Sequence, residues 1–403
     1  MAYNNLPDTL ESVSSEPLNR ASHFNPLHGG DIVRAAAHYT IALDQWADLS
    51  TGINPTAYPV ASVAIATCYF QQLPYIRPEF IAASSAYYQA DHFIAVTGTQ
   101  AAIQQLPYCL ADLSVLIPQV GYQEHRRAWI VSGAKVNDYP SLYQHQTMAF
   151  IDEAIGRNPQ QHLVIINPNN PTGVLFEPAQ LLLWANKLAP KAMMIIDEAF
   201  VDTTPAQSML TQPLPDNVIV LRSLGKFFGL AGIRLGYCFA SAVIREQLTH
   251  RLGLWQVNGP AQAIAIAALN DQQWQTQAMI DIQKNARCTH ALLLPLISAL
   301  YAQPLFNTAT MTTLFLSYQM TRMQALAISQ HFAQAGILLR VIELPATESD
   351  GSASLANTNA LLRIGLVKCD DKVLQHRLRG VVNAFLSLSL EQQAALVSGA
   401  FHV

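Results

Sequence analysis

The sequence predicts an α/β protein in which a large, mostly parallel sheet is joined to a smaller α+β domain. From about residue 60 onward, short β-rich runs alternate with helical patterns, an order typical of parallel strands connected by helices. Two of the runs, within 162–168 and 192–197, are almost continuously apolar, as expected for strands buried on both faces of a sheet. The length of 403 residues corresponds to about two domains.

The elements of the large sheet follow in chain order. Residues 93–98 predict a strand that ends in glycine, and residues 99–111 predict the helix after it. A helix that opens at a proline is predicted over 255–270. The remaining strands of this sheet are predicted at 114–118, 162–168, 192–197, 217–223 and 236–240.

The C-terminal part predicts the smaller α+β domain. A long helix is expected after about residue 280, and a second helix around 322–335. The segment 343–360 is rich in Ser, Thr, Asn and Asp and predicts a loop. Strands are predicted at 312–318, 336–342 and 361–366.

Composition and charge exclude several classes of partner. Charged residues make up only 12% of the chain and the net charge is −4, so no basic excess exists to hold a nucleic acid backbone. The uncharged stretch 289–321 contains Pro295 and Pro304, which favours a core helix, a turn and a buried strand over a membrane span. The N-terminus lacks a secretory pattern and the five cysteines are scattered, which favours reduced thiols and a cytoplasmic protein. The histidine spacing predicts no metal site.

Polar clusters directly follow three of the predicted strands. They lie at 167–173, 197–200 and 223–234. Because ligands of open α/β sheets bind outside the carboxyl ends of the strands, we expect the three clusters to converge on one site. Each of the three clusters alone has an ordinary structural interpretation, such as a turn, a capping acid or a surface lysine. Their occurrence together, each after a predicted strand, favours a ligand-binding site. A lysine after a buried strand can form a Schiff base, a carboxylate can hold a protonated ring nitrogen, and serine with arginine can bind a phosphate.

The motifs NPNNPTG, DEAF and SLGKFFGLAGIRLGY resemble the pyridoxal-phosphate (PLP) aminotransferase superfamily of fold type I. The resemblance covers roughly residues 28–390. Within the superfamily the chain is most similar to the threonine-phosphate decarboxylases of cobalamin biosynthesis, on the segments 28–39, 43–55 and 222–236. Histidinol-phosphate aminotransferases come next.

This resemblance implies PLP as the cofactor and assigns its ligands. Lys226 matches the Schiff-base lysine, and Asp197 matches the acid that pairs with the pyridine nitrogen. Asn170 matches the asparagine that bonds the ring hydroxyl, and Tyr122 matches the aromatic residue that stacks on the ring. The residues that match the phosphate ligands are Gly98, Thr99, Gln100, Ser223 and Arg234.

The substrate side is assigned less directly. The resemblance matches Arg363 to the arginine that binds the substrate carboxylate. Arg340 lies in an apolar run, where an arginine is costly unless it meets an anion or an acid, so we expect it to bind the substrate phosphate. A structural pair with Glu343 is the alternative. His28 is a second candidate for the phosphate, and Gly52 and Asn54 are expected to line the same pocket.

One residue departs from the pattern of many aminotransferases. They carry tyrosine three residues after the ring-nitrogen aspartate, whereas this chain has Phe200. The cofactor oxygen therefore loses a hydrogen-bond donor, which fits a decarboxylase better than a transaminase.

Tyr75 lies near the position from which relatives lend a tyrosine to the partner subunit, but its register leaves it unassigned. His125 is interpreted as a packed or solvent-facing histidine.

The expected activity is decarboxylation of L-threonine O-3-phosphate, a small phosphorylated amino acid, to (R)-1-amino-2-propanol O-2-phosphate. An aminotransferase acting on a phosphorylated substrate is the alternative, and a non-catalytic binding protein is a second. The resemblance also implies a homodimer. We expect a flexible tail over 1–27, an arm that completes the small domain over 28–60, a large PLP-binding domain over 61–280 and a small domain over 281–403.

Overall fold

The computed structural model describes residues 24, 26, 28–306, 311, 313–345 and 359–398. Most of the predicted tail, 1–27, and most of the predicted loop, 343–360, lie outside these ranges. In the described part of the chain no helix is long and apolar enough to cross a membrane.

The α-helices of the described residues are numbered in chain order. They are α1 Ile32–Tyr39, α2 Cys68–Gln71, α3 Pro78–Tyr88, α4 Gly98–Gln105, α5 Gln123–Val131, α6 Gln144–Arg157, α7 Pro178–Lys187, α8 Ala242–Leu252, α9 Gly259–Asn270, α10 Gln272–Ala299, α11 Arg322–Gln334, α12 Lys372–Leu386 and α13 Leu390–Ser398.

The strands of the described residues are numbered in the same way. They are β1 Ala47–Asp48, β2 Phe93–Val96, β3 Ser114–Pro118, β4 Val136–Tyr139, β5 Gln161–Ile166, β6 Met194–Asp197, β7 Val218–Ser223, β8 Gly236–Phe239, β9 Gln303–Pro304, β10 Phe315–Thr321, β11 Ile337–Leu338, β12 Arg340–Glu343 and β13 Asn359–Gly365.

Seven strands form the large sheet, in the order β2-β8-β7-β6-β5-β3-β4. Only β8 runs antiparallel to its neighbours in this sheet. Every residue of β5, β6 and β7 is buried, which confirms that these apolar strands are covered on both faces. Asp197 at the end of β6 is paired with Ile166 of β5 and with Leu221 of β7, so the three strands end at the same edge.

The second sheet is antiparallel and has the order β12-β13-β10-β9. The predicted strand at 336–342 is divided between two sheets, because residues 337–338 pair with β1 while residues 340–343 pair with β13. The pairing of β1 with β11 ties the segment near residue 47 to the C-terminal half of the chain.

Two other elements differ from the sequence prediction. Strand β4 was not predicted, because the sequence VNDY is polar and lies at the partly exposed edge of the large sheet. The predicted helix over 255–270 begins only at Gly259, where the Asn258 side chain accepts a hydrogen bond from the Ala261 N–H at 2.8 Å. Such a cap satisfies one of the unpaired N–H groups at the helix start.

Candidate active site

The carboxyl ends of β5, β6 and β7 bring the three polar clusters together. The residues that the sequence assigned to the cofactor all line one cavity at this edge, with contributions from the start of α4 and from Tyr122. The lining residues are Gly98, Thr99, Gln100, Tyr122, Ile166, Asn170, Asp197, Ala199, Phe200, Ser223, Gly225, Lys226, Ala231, Arg234 and Leu235. The described residues hold no cluster of three or more potential metal ligands.

Lys226 lies in the turn that follows β7, and its amine faces the ring of Phe200 at 5.4 Å from the ring centroid. Burial is the largest cause that lowers the pKa of this amine; together with the nearby Arg363 and Arg234, and against the opposing effect of Asp197, it brings the pKa from 10.5 to about 8. A lysine with a lowered pKa is partly neutral near physiological pH. Only the neutral amine can attack a carbonyl, so the surroundings activate Lys226 as a nucleophile.

This lowered pKa predicts the pH dependence of cofactor attachment. The rate at which the cofactor-free protein incorporates PLP is expected to rise with pH, to reach half of its maximum near pH 8 and to level off at higher pH, because the neutral form of Lys226 is half populated at its pKa and fully populated only well above it. Stopped-flow absorbance at several pH values measures the rate, with free N-acetyl-lysine as the reference amine. A rate that keeps rising toward pH 10.5, as for the reference, would contradict the assigned environment.

Asp197 is buried at the end of β6 and is held on both oxygens. Its Oδ2 lies 3.0 Å from Nε2 of His125, and its Oδ1 accepts a hydrogen bond from the Ala199 N–H at 3.1 Å. Both side chains of the Asp197–His125 pair are only 3–4% exposed. Two fixed contacts hold one carboxylate in a single orientation beneath the cavity.

His125 is therefore a site residue that the sequence interpretation missed. It lies on α5, three residues after Tyr122, and α5 follows β3, the neighbour of β5. The only sequence signal is this spacing, which becomes informative once the strand order is known. The contact fixes the orientation of Asp197 and provides it with a hydrogen-bond donor.

An anion-binding corner lies at the start of α4. The first N–H groups of a helix have no partner within the helix and attract negative charge. Gly98 has a φ of 67°, and a Cβ at this position would lie 2.6 Å from Nη2 of Arg234, so the guanidinium lies directly against the glycine. The Ser223 hydroxyl accepts a hydrogen bond from the Gly225 N–H at 3.1 Å and completes the corner. This set of donors suits a phosphate.

Tyr122 forms one wall of the cavity and begins a chain of side-chain contacts. Its hydroxyl donates to Oε1 of Gln100 at 3.1 Å, and Nε2 of Gln100 donates to Oε2 of Glu124 at 2.6 Å. The other oxygen of Glu124 lies 3.2 Å from Nε2 of His28. Burial and, secondly, Glu124 raise the pKa of Tyr122 to about 12, so the phenol remains protonated.

Arg363 projects from β13 toward the same cavity. It donates from Nη1 to Oδ1 of Asn170 and from Nη2 to the carbonyl oxygen of Ser50. Its Nε is buried and has no hydrogen-bond partner among the described residues. Burial and, secondly, Arg340 lower the pKa of Arg363 to about 10, and Asp48 opposes the shift.

Arg340 lies directly opposite Arg363 in the β12–β13 pair. Residues directly opposite in antiparallel strands share one face of the sheet. Glu343, the acid that the sequence offered as an alternative partner of Arg340, has its Oε1 2.9 Å from Nη2 of Arg322.

None of the predicted substrate residues is among the lining residues of the cavity, Arg340 and Arg363 included. Asn54 braces the turn that carries the lysine: its Nδ2 donates to the Phe227 carbonyl at 2.9 Å, and its backbone N–H donates to the Lys226 carbonyl at 3.0 Å. Gly52 lies behind Phe200, where a Cβ would come within 2.8 Å of the rings of Phe200 and Phe315. His28 contacts Glu124, as described above.

The cavity combines four chemical features. It offers an activated amine, a buried carboxylate with a fixed orientation, an aromatic wall and an anion-binding corner. A ligand that meets all four has a carbonyl group, a basic ring nitrogen, a flat aromatic ring and a phosphate. PLP has these groups, and the residues present therefore fit it.

Comparison with known proteins agrees with this fit. Residues 66–374 match the family model for aminotransferases of class I and II. The chain is 39% identical over 249 residues to the threonine-phosphate decarboxylase of Pseudomonas aeruginosa. The aligned region covers 62% of this chain and 72% of that protein. A second relative of that name, from a Sinorhizobium species, is 38% identical over 60% of this chain and 71% of the relative.

A solved structure shows the same fold. The histidinol-phosphate aminotransferase of Sinorhizobium meliloti, in complex with pyridoxal-5'-phosphate, aligns with a TM-score of 0.70 over 88% of this chain and 95% of that one. The two sequences are 19% identical in the alignment, so this likeness concerns the fold.

Proposed function

The chain belongs to the aminotransferase class I and II family, and within that family we propose that it is a PLP-dependent lyase that decarboxylates L-threonine O-3-phosphate. The product is (R)-1-amino-2-propanol O-2-phosphate. Similarity to the threonine-phosphate decarboxylases supports the assignment, since two of them match at 38–39% identity over 60–62% of the chain, whereas the relatives named histidinol-phosphate aminotransferase match at 29% and 33% over 50% and 43% of it. The substrate is thus a small amino acid with two anionic groups.

The observation that carries this proposal is the pair Arg340 and Arg363. Their positions are directly opposite on neighbouring strands, where like charges destabilise a sheet. Arg340 also lowers the pKa of Arg363, and Arg363 keeps a buried Nε without a partner. An anionic ligand reduces the repulsion between the two guanidinium groups and provides a hydrogen-bond partner for the buried Nε of Arg363. A substrate with a carboxylate and a phosphate can supply one anion to each arginine.

The residues of the cavity are assigned to the cofactor as follows. Lys226 would hold it covalently, Asp197 would keep its ring nitrogen protonated, and Asn170 would bond its ring oxygen. Ser223, Arg234 and the N–H groups of Thr99 and Gln100 would bind the cofactor phosphate, and Tyr122 would cover the ring. When bound, PLP supplies an electron sink for the electron pair left by the bond that breaks.

The protein determines which bond breaks by the orientation of the substrate. Arg363 is fixed by Asn170 and by the Ser50 carbonyl, so its planar guanidinium can hold a carboxylate in one orientation. Lys226, with its pKa near 8, is the group that returns a proton to Cα after CO₂ has left.

The alternative is an aminotransferase that acts on a phosphorylated substrate such as histidinol phosphate. It would use the same residues and would differ in the bond that breaks. Phe200 favours the decarboxylase, because no hydroxyl is present at this position and the ring packs edge-on against Phe315 at 5.2 Å.

The test is CO₂ release from threonine phosphate with and without 2-oxoglutarate. Release that does not depend on 2-oxoglutarate supports the lyase, and oxoacid-dependent amino transfer without CO₂ supports the alternative.

Arg340 provides a prediction about substrate selection. Replacing it with alanine is expected to lower kcat/KM for threonine phosphate by about 10- to 100-fold, since hydrogen bonds to charged groups contribute about 1.5–3 kcal/mol. Turnover of plain threonine, which lacks the phosphate, is expected to change little. Steady-state kinetics on both substrates measures the preference. Arg322→Ala, which removes a neighbouring arginine that pairs with Glu343, is the matched control. An equal loss on both substrates would remove Arg340 from the phosphate site.

We also propose the assembly, location and domain limits that the sequence suggested. The homodimer is supported by the exposed apolar side chains around Tyr75 and Trp255, whose rings contact each other at 6.3 Å between centroids, whereas the cytoplasmic location is proposed from the sequence alone. The limits 28–60, 61–280 and 281–403 are proposed as the sequence suggested them. The β1–β11 pair supports only the joining of the first segment to the last, and the limit at 280–281 falls within α10. His28 remains a proposed ligand of the substrate phosphate, and Gly52 and Asn54 support the walls of that pocket.

A further inference from the structure

We propose that Glu124 is a positioning residue that fixes Gln100 and Tyr122 against the cofactor and couples them to the N-terminal segment through His28. The inference rests on the proposed function only in requiring that the cavity binds PLP. It concerns a residue that lies outside the cavity lining and acts through its neighbours.

The carboxylate of Glu124 uses its two oxygens for two different partners. Oε2 accepts from Nε2 of Gln100 at 2.6 Å, and Oε1 lies 3.2 Å from Nε2 of His28. A carboxylate is only an acceptor, so both partners must present N–H groups toward it. Glutamine at this position replaces one acceptor oxygen with an NH2 donor, so it can keep both contacts only if Nε2 of His28 or the amide of Gln100 changes from donor to acceptor.

The first contact determines how Gln100 is oriented. An amide side chain has a donor end and an acceptor end, which are easily exchanged by rotation. Because Glu124 binds the donor end, the acceptor end of Gln100 must face Tyr122, whose hydroxyl donates to it at 3.1 Å. The orientation of the phenol assigned to the cofactor ring therefore depends on the acceptor oxygen of Glu124, two side chains away.

The second contact extends the chain of side chains to the N-terminal segment. His28 is half-exposed, whereas the side chain of Glu124 is 13% exposed. The Gly30 N–H donates to the Ser50 hydroxyl at 2.8 Å, and the Ser50 carbonyl is a partner of Arg363. The segment that begins at His28 therefore contacts Glu124, which binds Gln100, and also Ser50, whose carbonyl binds the arginine assigned to the substrate carboxylate.

A purely structural explanation of Glu124 is available and makes a different prediction. Glu124 lies in the first turn of α5, where a negative charge stabilises the helix N-terminus by about 0.3–1 kcal/mol. On that explanation Glu124→Gln lowers the stability of the protein slightly. It leaves the affinity for the cofactor and the environment of the bound cofactor unchanged.

The test compares Glu124→Gln, His28→Ala and the double variant by PLP affinity and by visible circular dichroism of the bound cofactor. We expect Glu124→Gln to weaken PLP binding about tenfold, as for the loss of one charge-assisted hydrogen bond, and to change the dichroism. The double variant is expected to lose less than the product of the two single losses, because both changes act on one chain of contacts. Glu153→Gln, an exposed glutamate paired with Arg157, is the control and should match the wild type.

Unchanged affinity and dichroism in Glu124→Gln, or fully multiplicative losses in the double variant, would overturn the proposal. If Glu124→Gln does not fold, Tyr122→Phe combined with His28→Ala reports the same coupling, because removing the phenol hydroxyl should abolish any effect of His28 on the cofactor. None of these readouts uses a substrate. A protein that passes them but does not release CO₂ from threonine phosphate would refute the proposed activity and leave the function of Glu124 intact.

Discussion

Replacing Lys226 with alanine is expected to reduce turnover to background and to remove the absorption band of the covalently attached cofactor, while the fold is retained. Among the described residues that line the cavity, Lys226 is the only lysine. Its amine is the group that the surroundings shift toward the neutral, nucleophilic form, and it is the proposed proton donor to Cα. Both functions are lost together, so the loss should exceed that of any other single substitution.

The measurement combines CO₂ release, visible absorbance and thermal unfolding of the purified variant. Lys284→Ala is the matched control, since Lys284 is an exposed lysine on α10. The control is expected to keep wild-type turnover and absorbance. Retained turnover in Lys226→Ala would show that another group carries the chemistry, and the proposed mechanism would then be wrong.

Asp197→Ala is expected to bind PLP and to lose several orders of magnitude in kcat. The carboxylate at the end of β6 keeps the ring nitrogen protonated, and a protonated ring is the more effective electron sink. Asp197→Asn is the sharper variant, because it keeps the size and part of the hydrogen bonding to His125 and Ala199 but removes the charge. We expect the asparagine variant to be nearly as slow as the alanine variant.

Single-turnover kinetics with saturating cofactor separates this effect from weak binding. Asp152→Asn, which changes an exposed aspartate paired with Lys187, is the control. A rate for Asp197→Asn within about tenfold of the wild type, equivalent to roughly 1.4 kcal/mol, would show that Asp197 is not the partner of the ring nitrogen.

The fold of the large sheet could be predicted because each of its central strands is recognisable from its own local sequence. Strands β5, β6 and β7 are continuous apolar runs, and the structure buries all of their residues. The edge strand β4 carries no such signal, because its VNDY sequence is half polar. The division of 336–342 between two sheets depends on pairing with β1, almost 300 residues earlier, and local patterns do not contain that information.

The same distinction applies to the candidate site. Asp197, Ser223 and Lys226 lie at strand ends, so adjacency in sequence was sufficient to bring them together. The opposition of Arg340 and Arg363 depends on the register between two strands of the second sheet. His125 and Glu124 lie on a helix of ordinary composition. Their importance follows from what Asp197 and Gln100 need as partners, which the structure alone displays.

The contacts of Arg363 have a consequence for how the product leaves. Arg363 belongs to the four-stranded sheet, yet it bonds Asn170 in the loop after β5 of the seven-stranded sheet. A bound carboxylate would neutralise this bridging cation. In the proposed reaction that carboxylate departs as uncharged CO₂, so the chemical step itself removes the counter-ion and leaves the product attached mainly through its phosphate. A transaminase that acts on an amino acid keeps the carboxylate on its product. Under the proposed reaction, the protein therefore binds its product more weakly than its substrate, which favours product release.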